Sequence, residues 1–485
     1  MDKKFKKEFL KGSAAASISS ISAMVFQFIS TIMLTRFVSK DDFGIYILIL
    51  AIINLFQLFG GFGLQLTLVK FIAGATGQEK EKILAPILVM RIALLMIVAV
   101  IFYYFGNLTV KYFDQKIINY VLPITFLFIL SSFRDLFYNL LQGLKYFKKF
   151  AYIGISAAIF RVCLIFLYYK LGNLNLDSLI TIEIYATLMP IVYQIIVIPF
   201  KSLLKWHTET EVYKNLIKFS FPLYLGDLLN FVLGRTNIFV IGLYLTPASV
   251  ADYSIATRVP IALKKLFQSF ILVYFPNLSN LFSQENRNSA MKLINRSLVI
   301  ISVMVTLVVL ICFLFSKEII MLLFSEKYLA ATLAFSLLVL NFFFRIISDI
   351  MGYTIISYGK SAVPPKINTL ASIISIGGAF LLIPIYGYMG AVYSILLMNI
   401  FSLVLFYRAL VKEDIGPDLF QVLKPLLITL VIIGIYFLIG EEVLWIKILF
   451  VLINLIAGWF LVDAYKGIYD LIGKIVSKIK LQKSE

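Results

Sequence analysis

Charged side chains lie inside long apolar segments of this sequence. Eight are cations: Arg91, Arg134, Arg161, Arg235, Arg258, Lys264, Lys265 and Arg345. Five are acids: Asp135, Glu183, Asp227, Asp252 and Asp349. A charge facing hydrocarbon at mid-depth costs at least about 2.5–3.5 kcal/mol on insertion scales, so these groups are expected to face one another or a polar cavity. The excess of cations predicts a cavity that receives an anionic ligand, and the planar arginine fork suits phosphate.

Two of the cations, Arg258 and Arg161, are expected near the middle of a membrane. Arg258 lies about nine residues from the expected outer end of its segment, which is about half of a bilayer-spanning helix. Lys265 follows seven residues later on the same helical face. Arg161 reaches a similar depth from the opposite end of its own segment. For each of these residues a structural pairing remains an alternative to a ligand contact.

Other ionisable residues have a second interpretation. Arg345 and Asp349 are spaced i, i+4 and are predicted to pair along one helix face. Arg91 lies near the inner end of its segment, so we expect its side chain to snorkel toward the headgroups. Asp135, Asp227 and Asp349 either bind a coupling ion, Na⁺ or H⁺, or hold arginines in place.

The residues needed for catalysis or for a metal site are scarce. The chain has one histidine, His207, in a charged connection, and two cysteines, Cys163 and Cys312, which are expected to be buried thiols. This inventory is too small for the usual transition-metal clusters. No Ser–His–acid set and no phosphate-binding loop is present, so we expect neither an enzyme nor transport driven by ATP bound to this chain.

The composition is that of a membrane protein. Of 485 residues, 61% are hydrophobic and only 14% are charged, and the mean hydropathy is +0.95. The apolar residues come in runs of about twenty, which matches a hydrocarbon layer of about 30 Å. We therefore predict an all-α polytopic protein with fourteen transmembrane helices near residues 13–36, 43–73, 83–105, 117–142, 150–171, 178–200, 215–244, 249–275, 293–315, 329–356, 362–383, 388–411, 419–439 and 443–463.

The net charge of +18 follows from the connections between these segments. With the N-terminus in the cytoplasm, the inner segments hold 28 lysines and arginines and the outer segments hold 8. This bias predicts that both termini are cytoplasmic. It also explains the excess of basic over acidic residues, so a nucleic-acid partner is not needed to account for that excess.

The expected organisation is an N-terminal lobe over 1–205, a C-terminal lobe over 206–412, two further helices over 413–464 and a tail over 465–485. The tail has an apolar and a basic face, which predicts an interfacial helix on anionic lipid. A faint parallel repeat supports the lobes: Thr35–Tyr46 aligns with Leu243–Tyr253, and Phe133-Arg134 aligns with Phe344-Arg345.

Helix breaks are expected in three spans. The run Gly60-Gly61-Phe62-Gly63 is predicted to break the second span. Pro222 and Pro260 are predicted to interrupt the seventh and eighth spans. Such breaks let membrane helices bend, and alternating access requires bending.

One stretch carries a family resemblance. Residues 34–73, LTRFVSKDDFGIYILILAIINLFQLFGGFGLQLTLVKFIA, resemble the first outer loop and glycine-broken second span of the Wzx-type polysaccharide flippases, which belong with the lipid II flippase MurJ and the MATE exporters. The resemblance implies two six-helix lobes around a central cavity plus two C-terminal helices. It also implies movement of an undecaprenyl-pyrophosphate-linked oligosaccharide from the inner to the outer leaflet of a bacterial cytoplasmic membrane.

The same resemblance implies that cavity cations hold the pyrophosphate. By position the best counterparts are Arg258 and Lys265, followed by Arg161 and Arg235. The implied partners are the lipid-linked substrate and membrane lipids, with a glycan polymerase or glycosyltransferases as further candidates, and the protein is expected to be a monomer. No cofactor is expected beyond a coupling ion. The alternatives are a MATE-like ion-coupled exporter of small molecules, a lipid II flippase, or a non-transporting scaffold.

Overall fold

A computed structural model describes residues 21–75, 79–110, 112–203, 210–439 and 443–461. Helices account for nearly all of these ranges, and no strand occurs in them. The predicted tail helix, His207 and the beginning of the first predicted span lie outside the described residues. Contacts divide the chain into two compact units, Met1–Ala251 and Asp252–Glu485. The lobe boundaries expected from the sequence stay a prediction.

In the described residues of the first unit there are nine α-helices and a short 3₁₀ helix, Gln115–Tyr120. The α-helices are α1 Ile21–Phe37, α2 Lys40–Gly61, α3 Leu64–Gly74, α4 Glu79–Val110, α5 Val121–Gly143, α6 Phe147–Lys170, α7 Leu176–Val197, α8 Phe200–Leu203 and α9 Thr210–Tyr244. Polar residues fix several starts. Ser39 accepts a hydrogen bond from the backbone nitrogen of Asp42 at 3.1 Å, and Asn175 and Ser178 form a reciprocal capping box.

The second unit begins within the first turns of α10, Pro247–Ser283. The remaining elements are α11 Arg287–Leu314, α12 Ser316–Leu323, a 3₁₀ helix Glu326–Ala331, α13 Thr332–Ser357, α14 Val363–Tyr386, α15 Tyr388–Lys412, α16 Leu419–Ile439 and α17 Leu444–Leu461. α13 packs against α11 and α15, and α15 packs against α14. α16 and α17 pack on α11, where Leu310, Ile433 and Phe450 share a core.

The membrane spans agree with the predicted ones over most of the chain. In the described ranges twelve helices are long and apolar enough to cross a bilayer. α9 is a thirteenth if the two segments on either side of its 48° bend form one span. α1, the described part of the first predicted span, is shorter than the length needed to cross a bilayer. The described helices therefore match twelve of the predicted spans, or thirteen with α9, and the count of fourteen is not confirmed.

The predicted glycine break in the second span is confirmed. α2 ends at Gly61 and α3 begins at Leu64, and both intervening residues have left-handed backbone, with φ of 44° at Phe62 and 69° at Gly63. A side chain at Gly63 would collide with the backbone carbonyl of Ser220 in α9. The absence of a side chain therefore permits both the turn and the contact with α9.

The expected proline interruptions are wrong. α9 continues through Pro222 and α10 continues through Pro260. The bend in α9 comes later, between Val232 and Gly234. A proline removes only one helical hydrogen bond, and membrane helices re-satisfy the freed carbonyl locally.

Candidate functional site

A cavity of about 520 Å³ lies within the second unit, between α10, α13, α14 and α15. Its polar lining consists of Lys264, Gln268, Arg345, Ser348, Asp349 and Asn368. Its apolar lining consists of Ile271, Leu272, Ile346, Gly352, Tyr353, Ile356, Pro364 and Phe406. The cavity therefore combines charged groups with a hydrocarbon-like surface.

Helical periodicity explains why these residues meet. On α10 the lining residues 264, 268, 271 and 272 follow the spacing i, i+4, i+7 and i+8. On α13 the residues 345, 349, 352 and 353 follow the same spacing. Such residues form one stripe on a helix. Two matching stripes thus border the cavity, each with polar residues in its first turns and apolar or small residues afterwards.

The charges in this cavity do not balance. Arg345 forms an ion pair with Asp349 one helical turn away, with 3.1 Å between Nε and Oδ1. This confirms the predicted i, i+4 pair. Lys264 experiences repulsion from Arg345 and attraction to Asp349. Two cations and one carboxylate leave a surplus of one positive charge. In a low-dielectric site this surplus attracts an anion.

The apolar part of the cavity begins one to two turns further along both helices. Leu272 has 78% of its surface exposed and Tyr353 has 39%. Phe406 and Ile271, which also line the cavity, are buried. The arrangement can hold an anionic group with an apolar chain attached to it.

Arg161 has a counterion. In the first unit its guanidinium forms an ion pair with Glu183 of α7 at 2.6 Å and donates a hydrogen bond to the Tyr46 hydroxyl, also at 2.6 Å. The Tyr46 hydroxyl donates in turn to the same Glu183 oxygen at 2.6 Å. This cluster joins α2, α6 and α7. It matches the structural alternative that the sequence left open for Arg161.

Arg134 is also paired. Its guanidinium contacts the carboxylate of the adjacent Asp135 at 2.8 Å, and Gln57 of α2 donates to the other oxygen of Asp135 at 3.4 Å. Arg134 and Arg345, which the predicted repeat aligns, thus each pair with an acid on their own helix. The paired acid is one residue away in the first unit and four residues away in the second.

The expectation that Arg91 snorkels is wrong. Arg91 is completely buried, and its Nη1 donates to the backbone carbonyl of Gly60 at 2.6 Å. Its Nη2 donates to the carbonyl of Ser132 in α5 at 3.3 Å. The break after α2 leaves carbonyls without helical partners, and a buried guanidinium satisfies them. This need outweighs the expected proximity of Arg91 to the headgroups at the inner end of its segment.

The remaining predicted residues are not among those that line the cavity. Lys265 follows Lys264 on α10 but is exposed, and Arg258 lies on the Lys265 side of the helix and is half-buried. Asp227 and Arg235 lie in α9 of the first unit and are both half-buried. Their roles as ligands stay predictions.

The two cysteines differ in exposure. Cys163, expected to be buried, is exposed on α6, whereas Cys312 is buried as expected.

One buried charge was missed by the sequence analysis. Lys447, which is not among the eight cations identified inside the apolar segments, lies in α17 with only 2% of its surface exposed. Its ammonium forms an ion pair with Glu318 of α12 and lies 5.4 Å from the Phe315 ring centre. Its position four residues from the start of the last apolar run was a weak signal for burial. Among the cavity residues, Asn368 also carried no distinguishing pattern.

Residues 33–333 match the family described as polysaccharide biosynthesis protein. The match covers more than half of the chain. The chain belongs to this family. A capsular polysaccharide biosynthesis protein, CapF, of Staphylococcus aureus is 22% identical over 80% of this chain and 96% of its own length. An uncharacterized membrane protein of Methanocaldococcus jannaschii is 23% identical over 96% of this chain and 95% of its own.

Solved structures agree with this family in fold. The lipid II flippase MurJ in an inward closed conformation superposes with a TM-score of 0.72 at 18% identity, covering 94% of this chain and 99% of its own. A MATE family multidrug transporter in an inward-facing conformation superposes with a TM-score of 0.61 at 14% identity, covering 81% and 94%. The predicted all-α, MurJ- and MATE-like fold class is therefore confirmed, and the protein is a multi-pass membrane protein.

Proposed function

We propose that this protein is a flippase for a lipid-linked oligosaccharide. The substrate would be an oligosaccharide on undecaprenyl pyrophosphate, moved from the inner to the outer leaflet of a bacterial cytoplasmic membrane for surface polysaccharide synthesis. The family match and the name of the Staphylococcus aureus relative support the pathway. The observation that carries the proposal is the cavity with surplus positive charge at Lys264 and Arg345 next to an apolar surface.

The chemistry of the substrate corresponds to the lining of the cavity. Phosphate oxygens accept hydrogen bonds from the Arg345 guanidinium and the Lys264 ammonium. Gln268 and Asn368 supply neutral donors and acceptors for nearby polar groups. Leu272 and Tyr353 offer an exposed apolar surface to the first isoprene units. The rest of the lipid chain stays in the bilayer while the charged part changes sides by alternating access.

A MATE-like exporter of small molecules is the second candidate, and the shared fold favours it. Exporters of cationic drugs need acidic groups that are available to the substrate. In this cavity the one carboxylate, Asp349, is already paired with Arg345, and the net charge is positive. Electrostatics therefore favours an anionic substrate over a cationic one.

The test is a reconstituted flipping assay with the full-length protein in liposomes. A fluorescent lipid-linked oligosaccharide is supplied, and its arrival in the opposite leaflet is measured by quencher accessibility. The native protein is expected to flip it, and Lys264→Glu with Arg345→Glu is expected to reduce the rate at least tenfold. Glu413→Gln, which removes a carboxylate paired with Lys360 at 3.2 Å outside the cavity, is the matched control.

Two results would contradict the proposal. One is accumulation of a cationic dye, without flipping of the oligosaccharide lipid, by the same liposomes. The other is full flipping by the doubly reversed variant.

Imposing a Na⁺ gradient or a pH gradient across the liposomes tests the proposed coupling ion in the same assay. Co-purification with a glycan polymerase or glycosyltransferases tests those proposed partners, and the mass of the purified protein in detergent tests the expected monomer.

A further inference from the structure

The carboxylate of Asp349 forms an ion pair with Arg345 at the wall of the cavity. The two residues are one turn apart on α13, so no second helix is needed to bring them together. Both side chains remain partly accessible, with 32% of the Arg345 surface and 26% of the Asp349 surface exposed. An entering anion can therefore reach this ion pair, and the pair can form again whenever the cavity empties.

Lys264 approaches the same pair from another helix. It lies on α10, and its ammonium is repelled by Arg345 and attracted to Asp349. A phosphate between α10 and α13 would be attracted by both cations and repelled by the carboxylate. These interactions are strong because the surroundings are apolar.

We propose that Asp349 is a resident counterion that competes with the phosphate of the substrate for Arg345. Binding displaces the carboxylate from the guanidinium, and its return promotes release of the phosphate. The inference rests on the proposed function for the identity of the substrate. It assigns to Asp349 a positioning and release role rather than a contact with the substrate.

A flippase needs such a device because tight binding slows release. A cavity with two uncompensated cations would hold a pyrophosphate in both leaflet orientations. A carboxylate in the same cavity weakens the bound state and neutralises Arg345 in the empty state. An unpaired guanidinium at bilayer depth would otherwise destabilise the empty cavity.

The experiment measures equilibrium binding to the purified full-length protein in phosphatidylcholine nanodiscs by native mass spectrometry. The probe is farnesyl pyrophosphate, which combines a pyrophosphate with a short isoprenoid chain. Asp349→Asn is expected to bind it at least tenfold more tightly than the native protein. Lys264→Gln and Arg345→Gln are expected to bind it at least tenfold more weakly, and Glu413→Gln within twofold of the native protein.

Two further variants secure this test. Asp349→Glu retains the negative charge and is expected to keep the affinity within threefold of the native value, which separates competition from a merely structural role. Asp349→Ser removes the same charge with a smaller side chain and carries the test if Asp349→Asn does not fold. Unchanged or weaker binding by the neutral variants overturns the inference, as does a native protein that binds no probe.

Two additional probes in the same binding experiment distinguish the source of the phosphate. Phosphatidic acid represents a bilayer lipid, and inorganic pyrophosphate represents a free anion. A gain in affinity on Asp349→Asn that is largest for farnesyl pyrophosphate supports competition with the substrate. An equal gain for phosphatidic acid or inorganic pyrophosphate overturns that assignment. The flipping assay judges the function separately, because a protein that shows the gain but flips no lipid-linked oligosaccharide loses the proposed function alone.

Discussion

Arg91 holds the backbone carbonyl of Gly60 through a hydrogen bond of 2.6 Å between Nη1 and the oxygen. Gly60 is in the last turn of α2, where carbonyls lose their helical partners at the break before α3. Because Arg91 is completely buried and also donates to Ser132 of α5, it connects the break to two neighbouring helices. The break is therefore a fixed structural feature of the first unit.

Replacing Arg91 with methionine is expected to destabilise the protein strongly. Methionine retains much of the volume but removes donors to two carbonyls, and a buried carbonyl left unsatisfied costs about 1–3 kcal/mol. We expect a clear fall in the melting temperature of the detergent-purified protein. Arg296→Met, at an exposed position on α11, is the control and should change it little. Equal melting temperatures for the two variants would show that Arg91 does not support the break.

Gly63→Ala tests the contact between this break and α9. Gly63 has a φ of 69°, and an alanine there is strained by roughly 1–2 kcal/mol and also meets the Ser220 carbonyl. Gly172 is the matched control, because its φ is 70° while nothing surrounds it. Gly63→Ala is expected to lower the melting temperature considerably more than Gly172→Ala. Similar losses would mean that backbone strain alone matters and that the packing on α9 is loose.

The two outcomes for the helix breaks show what the sequence can predict. The run Gly60-Gly61-Phe62-Gly63 predicted the break correctly, because Gly63 readily adopts the left-handed backbone that the turn requires. Pro222 and Pro260 did not predict breaks, because neighbouring groups in a membrane protein compensate a single lost hydrogen bond. Apolar run length likewise predicted most of the spans, since a bilayer fixes that length: of the fourteen predicted, twelve match in the described residues, and bent α9 is a thirteenth if it counts as one span.

The candidate site was only partly predictable. The Arg345–Asp349 pair follows from spacing on one helix and was predicted. The burial of Arg91 depends on carbonyls from two other helices, and the Arg161 cluster depends on Tyr46 and Glu183. Contacts between distant segments leave no local pattern in a single sequence. The choice between Lys264 and Lys265 also required the packing of α10, because adjacent residues point in directions about 100° apart.

Arg161 and Glu183 are expected to act as a structural pair. Arg161→Gln or Glu183→Gln alone leaves one charge uncompensated inside the first unit, and breaking a buried pair costs about 3–5 kcal/mol. Here both side chains are 18% exposed, so we expect the lower part of that range. The double variant removes both charges and should recover much of the stability. Thermal unfolding of the four proteins gives the coupling between the two sites.

Flipping by the same four proteins separates structure from substrate binding. If the pair is structural, the double variant transports more than either single variant. A double variant as inactive as Arg161→Gln, despite recovered stability, would mean that Arg161 contacts the substrate directly. Tyr46→Phe provides a milder test, because it removes one hydroxyl from the cluster and should cost about 1 kcal/mol.

Two adjacent lysines decide which face of α10 binds the phosphate. Lys264 lines the cavity with Arg345, whereas Lys265 is exposed on the side of α10 that carries Arg258. We expect Lys264→Gln to reduce the affinity for farnesyl pyrophosphate at least tenfold, because it removes half of the cationic charge in the cavity. Lys265→Gln is expected to change the affinity less than threefold. The two variants have the same change in net charge and differ in helical position by one residue, so a general electrostatic effect would change both affinities equally. A larger loss for Lys265→Gln would instead assign the phosphate to the face with Arg258, as the sequence alone suggested.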